Sequence, residues 1–304
     1  MSLMKPLPEK WDINQLLLPA KNHRYFEHWQ QHPFQPKSSS HSDVNAWWMA
    51  ECALLAYEEQ NVIENRLKGV ETFTKDGQLH LEWINQGSTQ GFMLEADDFI
   101  LLVVRGTEFY SFSEITKNPK KIWGVVEDLL VDAKLTLVQP RDQGAGHYML
   151  AEGFFNEFDS IQPQLKKFFT TTDKPIWLTG HSLGGAIATL ATFYCSLEKT
   201  GGLYTFGSPC VGDQDFAKAF NQKGLNPICF RYTNGKDLVA KGLTFWRGIF
   251  FLRPRFRHIG NEKKLRSKQV FFDYFLPLDM ADHAPIYYAL KCWNYLIHQN
   301  ANGT

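Results

Sequence analysis

Four apolar runs of strand length, each closing on a polar loop that carries glycine, constrain this chain more than any other feature. Phe99–Val104 ends at Arg105-Gly106-Thr107, and Ile176–Thr179 leads into Gly180-His-Ser-Leu-Gly184. Leu203–Phe206 ends at Gly207-Ser-Pro209, and Ile228–Tyr232 ends at Thr233-Asn-Gly-Lys-Asp237. A strand without polar alternation has to be covered on both faces, as central strands of a parallel sheet are. Helical patterns near 150–170, from 183 to about 197 and near 213–222 supply that cover. The alternation predicts an α/β class chain with a mostly parallel, doubly wound central sheet and helices on both faces. Ligands of such sheets meet the carboxyl ends of the strands, where all four loops begin.

The remaining sequence adds elements and exclusions. Residues 30–43, rich in Pro and Ser, read as a linker, so 1–43 is expected to be an N-terminal arm and 44–304 a single domain. Asn45 to Tyr57 reads as a buried amphipathic helix capped by Asp43 or Asn45, and 70–95 as short strands turning at Asp76-Gly77. Thirty-two basic residues balance thirty-two acidic ones, which argues against a nucleic-acid partner held by global charge. Five scattered cysteines without a close pair predict reduced thiols rather than a disulfide framework. With no signal-peptide core and no apolar run of transmembrane length, the expectation is a soluble, cytoplasmic protein with at most peripheral membrane contact. Asp128 and Asp132 are spaced for one helix face, but no third ligand accompanies them, so no metal site is expected.

Chemistry enters at Gly180-His181-Ser182-Leu183-Gly184, a match to G-x-S-x-G. A buried-type strand precedes it and an Ala- and Leu-rich helix follows. In that setting the serine sits on a sharp strand-to-helix turn, and glycines two positions to either side let the chains approach. Its oxygen then projects above the sheet at the positive end of the next helix.

Together with neighbouring motifs, this segment resembles the class 3, fungal-type lipases of the α/β-hydrolase fold, over about residues 45–300. The motifs are Arg105-Gly106-Thr107, Asp128-Leu-Leu-Val-Asp132, Gly153-Phe154, Gly180 to Ala186, Thr205-Phe-Gly-Ser-Pro209 with Gly212-Asp213, Asn234-Gly-Lys-Asp237, His258-Ile-Gly260 and Asp282-His283. The resemblance implies a lipid or other ester substrate and an oxyanion loop at Thr107. It also implies a lid over 108–127, from which Phe109, Phe112 and Trp123 would face substrate; the alternative for this stretch is a surface loop that caps the core. His181, beside the serine, joins that substrate-facing set. For Asp128 and Asp132 it implies a structural role.

A serine hydroxyl needs a base, and the base an orienting acid. Asp237, at the end of a strand run, and His283, in a loop before the helix from Pro285, follow Ser182 in the order Ser, Asp, His that this fold uses. His23, His28, His32 and His41 precede the serine, and His298 falls inside the last helix. His258 is the remaining alternative, on a stretch rich in Arg and Phe that reads as structural. The oxyanion donors expected are the backbone N–H of Leu183 and, from the resemblance, Thr107. The expected activity is a serine carboxylic-ester hydrolase, a lipase working through an acyl-serine intermediate without metal or organic cofactor. The alternatives are a non-catalytic lipid- or partner-binding module on the same fold and an acyltransferase. The sequence does not decide oligomeric state.

Overall fold

A computed structural model describes residues 3–8, 23–106, 136–140, 147–171, 173–195, 198–235, 237, 239–240, 256–265 and 282–302. Among them, strands β1 (His80–Gln86), β2 (Thr89–Glu95), β3 (Ile100–Val104), β6 (Ile176–His181), β7 (Thr200–Phe206), β9 (Cys229–Asn234) and β11 (Asn261–Leu265) form one sheet in the order β1-β2-β3-β6-β7-β9-β11. The β1–β2 and β2–β3 pairs are antiparallel, and every later pair is parallel. Short strands β4 (Leu137–Val138), β5 (Leu150–Ala151), β8 (Gly212–Asp213) and β10 (Phe256–Arg257) make a small second sheet.

The apolar runs are continuous because both faces are covered. Along β3, Ile100, Leu102 and Val104 enter one core cluster, while Leu101 and Val103 enter the other. Helices α3 (Glu152–Phe169), α4 (Leu183–Cys195) and α5 (Gln214–Gln222) cover the first face. Helices α1 (Asp43–Leu55) and α6 (Pro285–Asn302) cover the second. They pack on each other through Trp47 and Trp293, with ring centroids 5.0 Å apart. Helix α2 (Gln60–Lys68) lies between α1 and β1 in the chain.

Three local expectations are corrected. The cap of α1 is Ser42, whose Oγ accepts from the Asn45 N–H. That helix is buried almost all round rather than amphipathic, with even Asn45 and Glu51 at 0% exposure, because sheet, α6 and residues 23–34 enclose it. Asp76-Gly77 does form a left-handed turn (φ 52° and 72°), but it closes only a Lys75–Gln78 bridge. The hairpin proper turns at Gly87-Ser88, between Gln86 and Thr89.

The segment read as an arm packs into the core where it is described. Phe26 lies 5.3 Å from Trp48 and 5.0 Å from Phe73, and Phe34 lies 4.8 Å from Phe99 and 5.1 Å from Trp177. Full burial of a phenyl ring contributes about 1.5–3 kcal/mol, enough to hold such a segment down. Residues 3–8 run beside α6, where Trp293 Nε1 donates to the Leu3 carbonyl (2.8 Å) and Asn294 makes two bonds to the Lys5 backbone (2.7 and 2.8 Å). Linker-like composition marks this stretch as irregular but does not show that its few aromatics find partners.

Candidate active site

Ser182 stands between β6 and α4 at φ 55°, a conformation that costs a non-glycine residue about 1–3 kcal/mol. Its N–H donates to the Phe206 carbonyl (2.9 Å), which ties the turn to the end of β7. The flanking glycines are required by space. A Cβ on Gly180 would come within 2.7 Å of the Gly185 nitrogen, and one on Gly184 within 2.8 Å of the Arg105 carbonyl carbon. Leu183 opens α4, so its peptide lies at the positive end of that helix.

The structure brings Ser182, His283 and Asp237 together from three strand-end loops. His283 Nε2 is 3.0 Å from Ser182 Oγ, and His283 Nδ1 is 2.8 Å from Asp237 Oδ2. A carboxylate only accepts, so Nδ1 carries the proton and Nε2 is left to accept from the serine hydroxyl. Asp237 is fully buried, which by itself would raise its pKa. The neighbouring His283 and the hydrogen bonds from His283, Tyr288 and the Ala240 N–H outweigh burial and hold the carboxyl below the usual range. The acid therefore stays ionised where its charge faces the imidazole. All three side chains are buried, at 1% exposure for Ser182, 3% for His283 and 0% for Asp237.

Several contributors to this site were not among the expected catalytic or substrate-facing residues. Tyr288 Oη donates to Asp237 Oδ2 (2.6 Å) and accepts from the Asn234 N–H (3.1 Å). Asn234 Nδ2 donates to the Asp282 carbonyl (2.8 Å), and its Oδ1 accepts from Lys291. Gly207, at φ 62°, lies under the acid–base pair, since a Cβ there would sit 3.0 Å from Asp237 Oδ2 and from His283 Nδ1. The tyrosine pair after Pro285 is the one feature of the sequence that points to Tyr288, because a helix starting beside His283 has to aim its first turns at the acid loop.

His181 is not placed to meet substrate, contrary to expectation. It is 1% exposed, and both ring nitrogens are engaged, by Tyr57 and by the His283 carbonyl. Its ring packs against Tyr57, just past α1, and against Tyr288 of α6. His258 is not brought to Ser182. It lies near Arg231, its ring bonds the Ala240 backbone, and burial followed by the Arg231 charge pushes its pKa down to about 3. Thr107, Phe109, Phe112, Trp123, Asp128, Asp132 and the expected lid over 108–127 lie outside the described residues.

Residues 101–245 match the family model for the class 3 lipases, the segment that holds the serine turn and the acid. Over that segment the chain is similar to the class 3 lipases. Its fold is the α/β-hydrolase fold. The lipase of Rhizopus microsporus var. chinensis superposes with a TM-score of 0.52 at 17% identity, covering 86% of this chain and 96% of that one. A deletion mutant of the Rhizomucor miehei lipase propeptide complex gives 0.51 at 18%, covering 86% and 84%. At such identities these likenesses show the fold alone.

Among curated relatives, the secreted mono- and diacylglycerol lipase LIP4 of Malassezia restricta is 32% identical over 138 residues, 41% of this chain and 45% of the relative. The secreted mono- and diacylglycerol lipase 1 of Fusarium solani is 37% identical over 97 residues, 29% and 28% of the two chains. The match therefore spans less than half the length of these relatives. Both are named as secreted, which overturns the cytoplasmic expectation. That expectation leaned on the lack of a signal-peptide core and on unpaired cysteines. Cys52, Cys229 and Cys292 are buried packing groups, and burial pushes the Cys229 thiol up to about 12. Thiols shielded in this way do not report the redox state of a compartment.

Proposed function

We propose that this chain is a secreted serine ester hydrolase that cleaves acylglycerols through an acyl-serine intermediate. The observation that carries the reading is the Ser182–His283–Asp237 chain of contacts, built on a strained turn at the carboxyl end of the sheet. A buried, ionised carboxylate, an imidazole with one proton and a serine hydroxyl in line form the arrangement that activates an oxygen nucleophile. Ser182 Oγ attacks the acyl carbon while its proton passes to His283 Nε2, and Asp237 stabilises the resulting imidazolium. The tetrahedral oxyanion is held by the Leu183 N–H and by Thr107. The intermediate then expels the alcohol, which takes the proton from His283. Water, deprotonated by the same imidazole, attacks the acyl-serine and releases the carboxylic acid. Residues 44–304 act as one lipase domain against which the preceding segment packs.

The curated relatives' names support monoacyl- and diacylglycerols as the substrate class. Graded p-nitrophenyl esters, mono-, di- and trioleoylglycerol and a fluorophosphonate probe test the reading. Ser182→Ala is expected to abolish both turnover and labelling while the circular dichroism spectrum stays unchanged. Labelling that persists in Ser182→Ala would assign the chemistry to another serine. A wild-type protein that neither turns over esters nor labels would leave a binding module.

A further inference from the structure

We infer that Tyr57 and His181 form a positioning pair that fixes the backbone of the general base, so that His283 Nε2 stays aimed at Ser182. The inference rests on the triad reading above. His283 sits in a loop, one residue short of the first turn of α6, and a base on a loop has to be held by something. Two consecutive carbonyls of that loop are pinned by side chains from strand ends. Asn234, at the end of β9, donates to the Asp282 carbonyl (2.8 Å), and His181, at the end of β6, brings Nε2 to 2.7 Å from the His283 carbonyl.

The acceptors dictate the proton positions. A carbonyl oxygen only accepts, so His181 Nε2 carries the hydrogen and Nδ1 keeps its lone pair. Tyr57 Oη, 2.8 Å from Nδ1, is then the donor. The tyrosine thus selects the one tautomer of His181 able to hold the loop. With the other tautomer, two lone pairs would face each other at the His283 carbonyl. Tyr57 reaches this point because Gly106 has no side chain. A Cβ there would collide with the tyrosine hydroxyl and sit 3.2 Å from the Ser182 Cβ. The glycine of the Arg-Gly-Thr segment therefore makes room for the pair as well as for the serine.

Charge supports the same role. The rings of His181 and His283 are 4.6 Å apart. Burial, followed by the proximity of His283, pushes the His181 pKa down to about 3, so the ring stays neutral at working pH. A neutral donor holds the backbone without opposing the positive charge that His283 takes up as it accepts the serine proton. A lysine or arginine there would hold the same carbonyl and disfavour the imidazolium. Ordinary core packing requires neither a fixed tautomer nor two engaged ring nitrogens.

The test uses turnover of p-nitrophenyl acetate, butyrate and octanoate per fluorophosphonate-titrated site, for the wild type, His181→Leu, His181→Gln and Tyr57→Phe. Loss of alignment is expected to lower kcat in His181→Leu on the order of 10–100-fold, with KM within about twofold. His181→Gln, whose amide nitrogen matches the reach of Nε2, regains most of that loss. Tyr57→Phe falls between the two, and if His181→Leu fails to fold, the Gln and Phe variants carry the comparison. Unchanged kcat per site beside a lowered Tm would make the pair a packing feature and overturn the inference. A raised KM that varies with acyl chain length would make His181 a substrate contact and overturn it equally. Ser182→Ala is read in parallel. Failure of the triad reading appears as labelling that survives in that variant, whatever the His181 variants do.

Discussion

Among the described residues, two buried histidine–carboxylate pairs have nearly the same length, and one of them meets a nucleophile. His283 Nδ1 lies 2.8 Å from Asp237 at the carboxyl ends of the strands. His23 Nε2 lies 2.9 Å from Glu51, in the middle of α1, the helix that packs on α6. Glu51 is 0% exposed, and Trp47 Nε1 (3.2 Å) and the Phe26 N–H (3.3 Å) also donate to it. Burial alone would raise the Glu51 pKa, but the neighbouring His23, then the Lys5 charge and the Phe26 N–H, bring it below the ordinary value. Both carboxylates are therefore held ionised by similar means. Their surroundings differ: His283 offers its second nitrogen to Ser182, whereas the His23 ring stands edge-on to Tyr25 at 4.7 Å. A buried acid–histidine pair ties the N-terminal segment to α1 in one place and serves the serine turn in the other. What separates them is the nucleophile and the loop geometry.

The largest expected effect breaks the comparison directly. His283→Ala should lower kcat by roughly 10⁴–10⁶ with the fold retained, as loss of a triad member does. His23→Ala should leave kcat per active site unchanged. It should instead cost stability, roughly 3 kcal/mol by urea unfolding, because a buried carboxylate loses its nearest partner. If His23→Ala lost activity per titrated site as His283→Ala does, the two pairs would not be functionally distinct.

Tyr288→Phe sharpens the same contrast on a smaller scale. Removing a neutral donor from Asp237 Oδ2 leaves the His283 bond in place, so kcat should fall about tenfold, equivalent to about 1.4 kcal/mol, with little change in KM. The test is steady-state kinetics on a soluble ester.

A separate effect is in the pH dependence of stability, which leaves the catalytic contrast untouched. His181 and His258 have folded-state pKa values of about 3, below the unfolded value near 6.5. As pH falls below about 6.5, the unfolded chain takes up protons that the folded chain refuses, so stability declines. Each histidine contributes about 1.4 kcal/mol per pH unit down to about pH 3. The depressed carboxyls of Asp237 and Glu51 act later. Their contributions are complete above the usual carboxylate range and are lost as pH falls through their folded values. Urea titrations at pH 7.5, 6.0 and 5.0 should show the decline, and His258→Asn should flatten it by about one proton. An unchanged slope in His258→Asn would mean that this ring is not buried neutral.

The fold was legible because its signals are local. Each central strand announces itself as an apolar run, and each run had to end in a loop at the carboxyl edge of the sheet. The serine turn was legible for the same reason: strand, glycine spacing and helix fall within about twenty consecutive residues. The chain order Ser182, Asp237, His283 then narrowed the remaining candidates for acid and base, although neither their distances nor their burial follows from order. Local composition misled at two places. Asp76-Gly77 has the better turn chemistry, yet the pairing of β1 with β2 is set by the faces those strands bury, so the hairpin turns at Gly87-Ser88. The Pro- and Ser-rich stretch before α1 has few apolar residues, but Phe34 is one of them and finds Phe99 and Trp177.

By itself, the sequence determined the α/β class, the parallel centre of the sheet, the helices on both faces and the sharp turn at Ser182. Each of these follows from residue types a few positions apart, through hydrophobic periodicity and the sterics of glycine. Only the tertiary structure decided what surrounds the serine. Tyr57 meets His181 from 124 positions away, and Tyr288 meets Asp237 from 51. It decided equally that His181 is buried against the His283 carbonyl and that His23 holds Glu51. Such contacts arise where elements with no local relation pack together, and a hydrogen bond between them depends on ångström-scale placement that no spacing in the chain encodes.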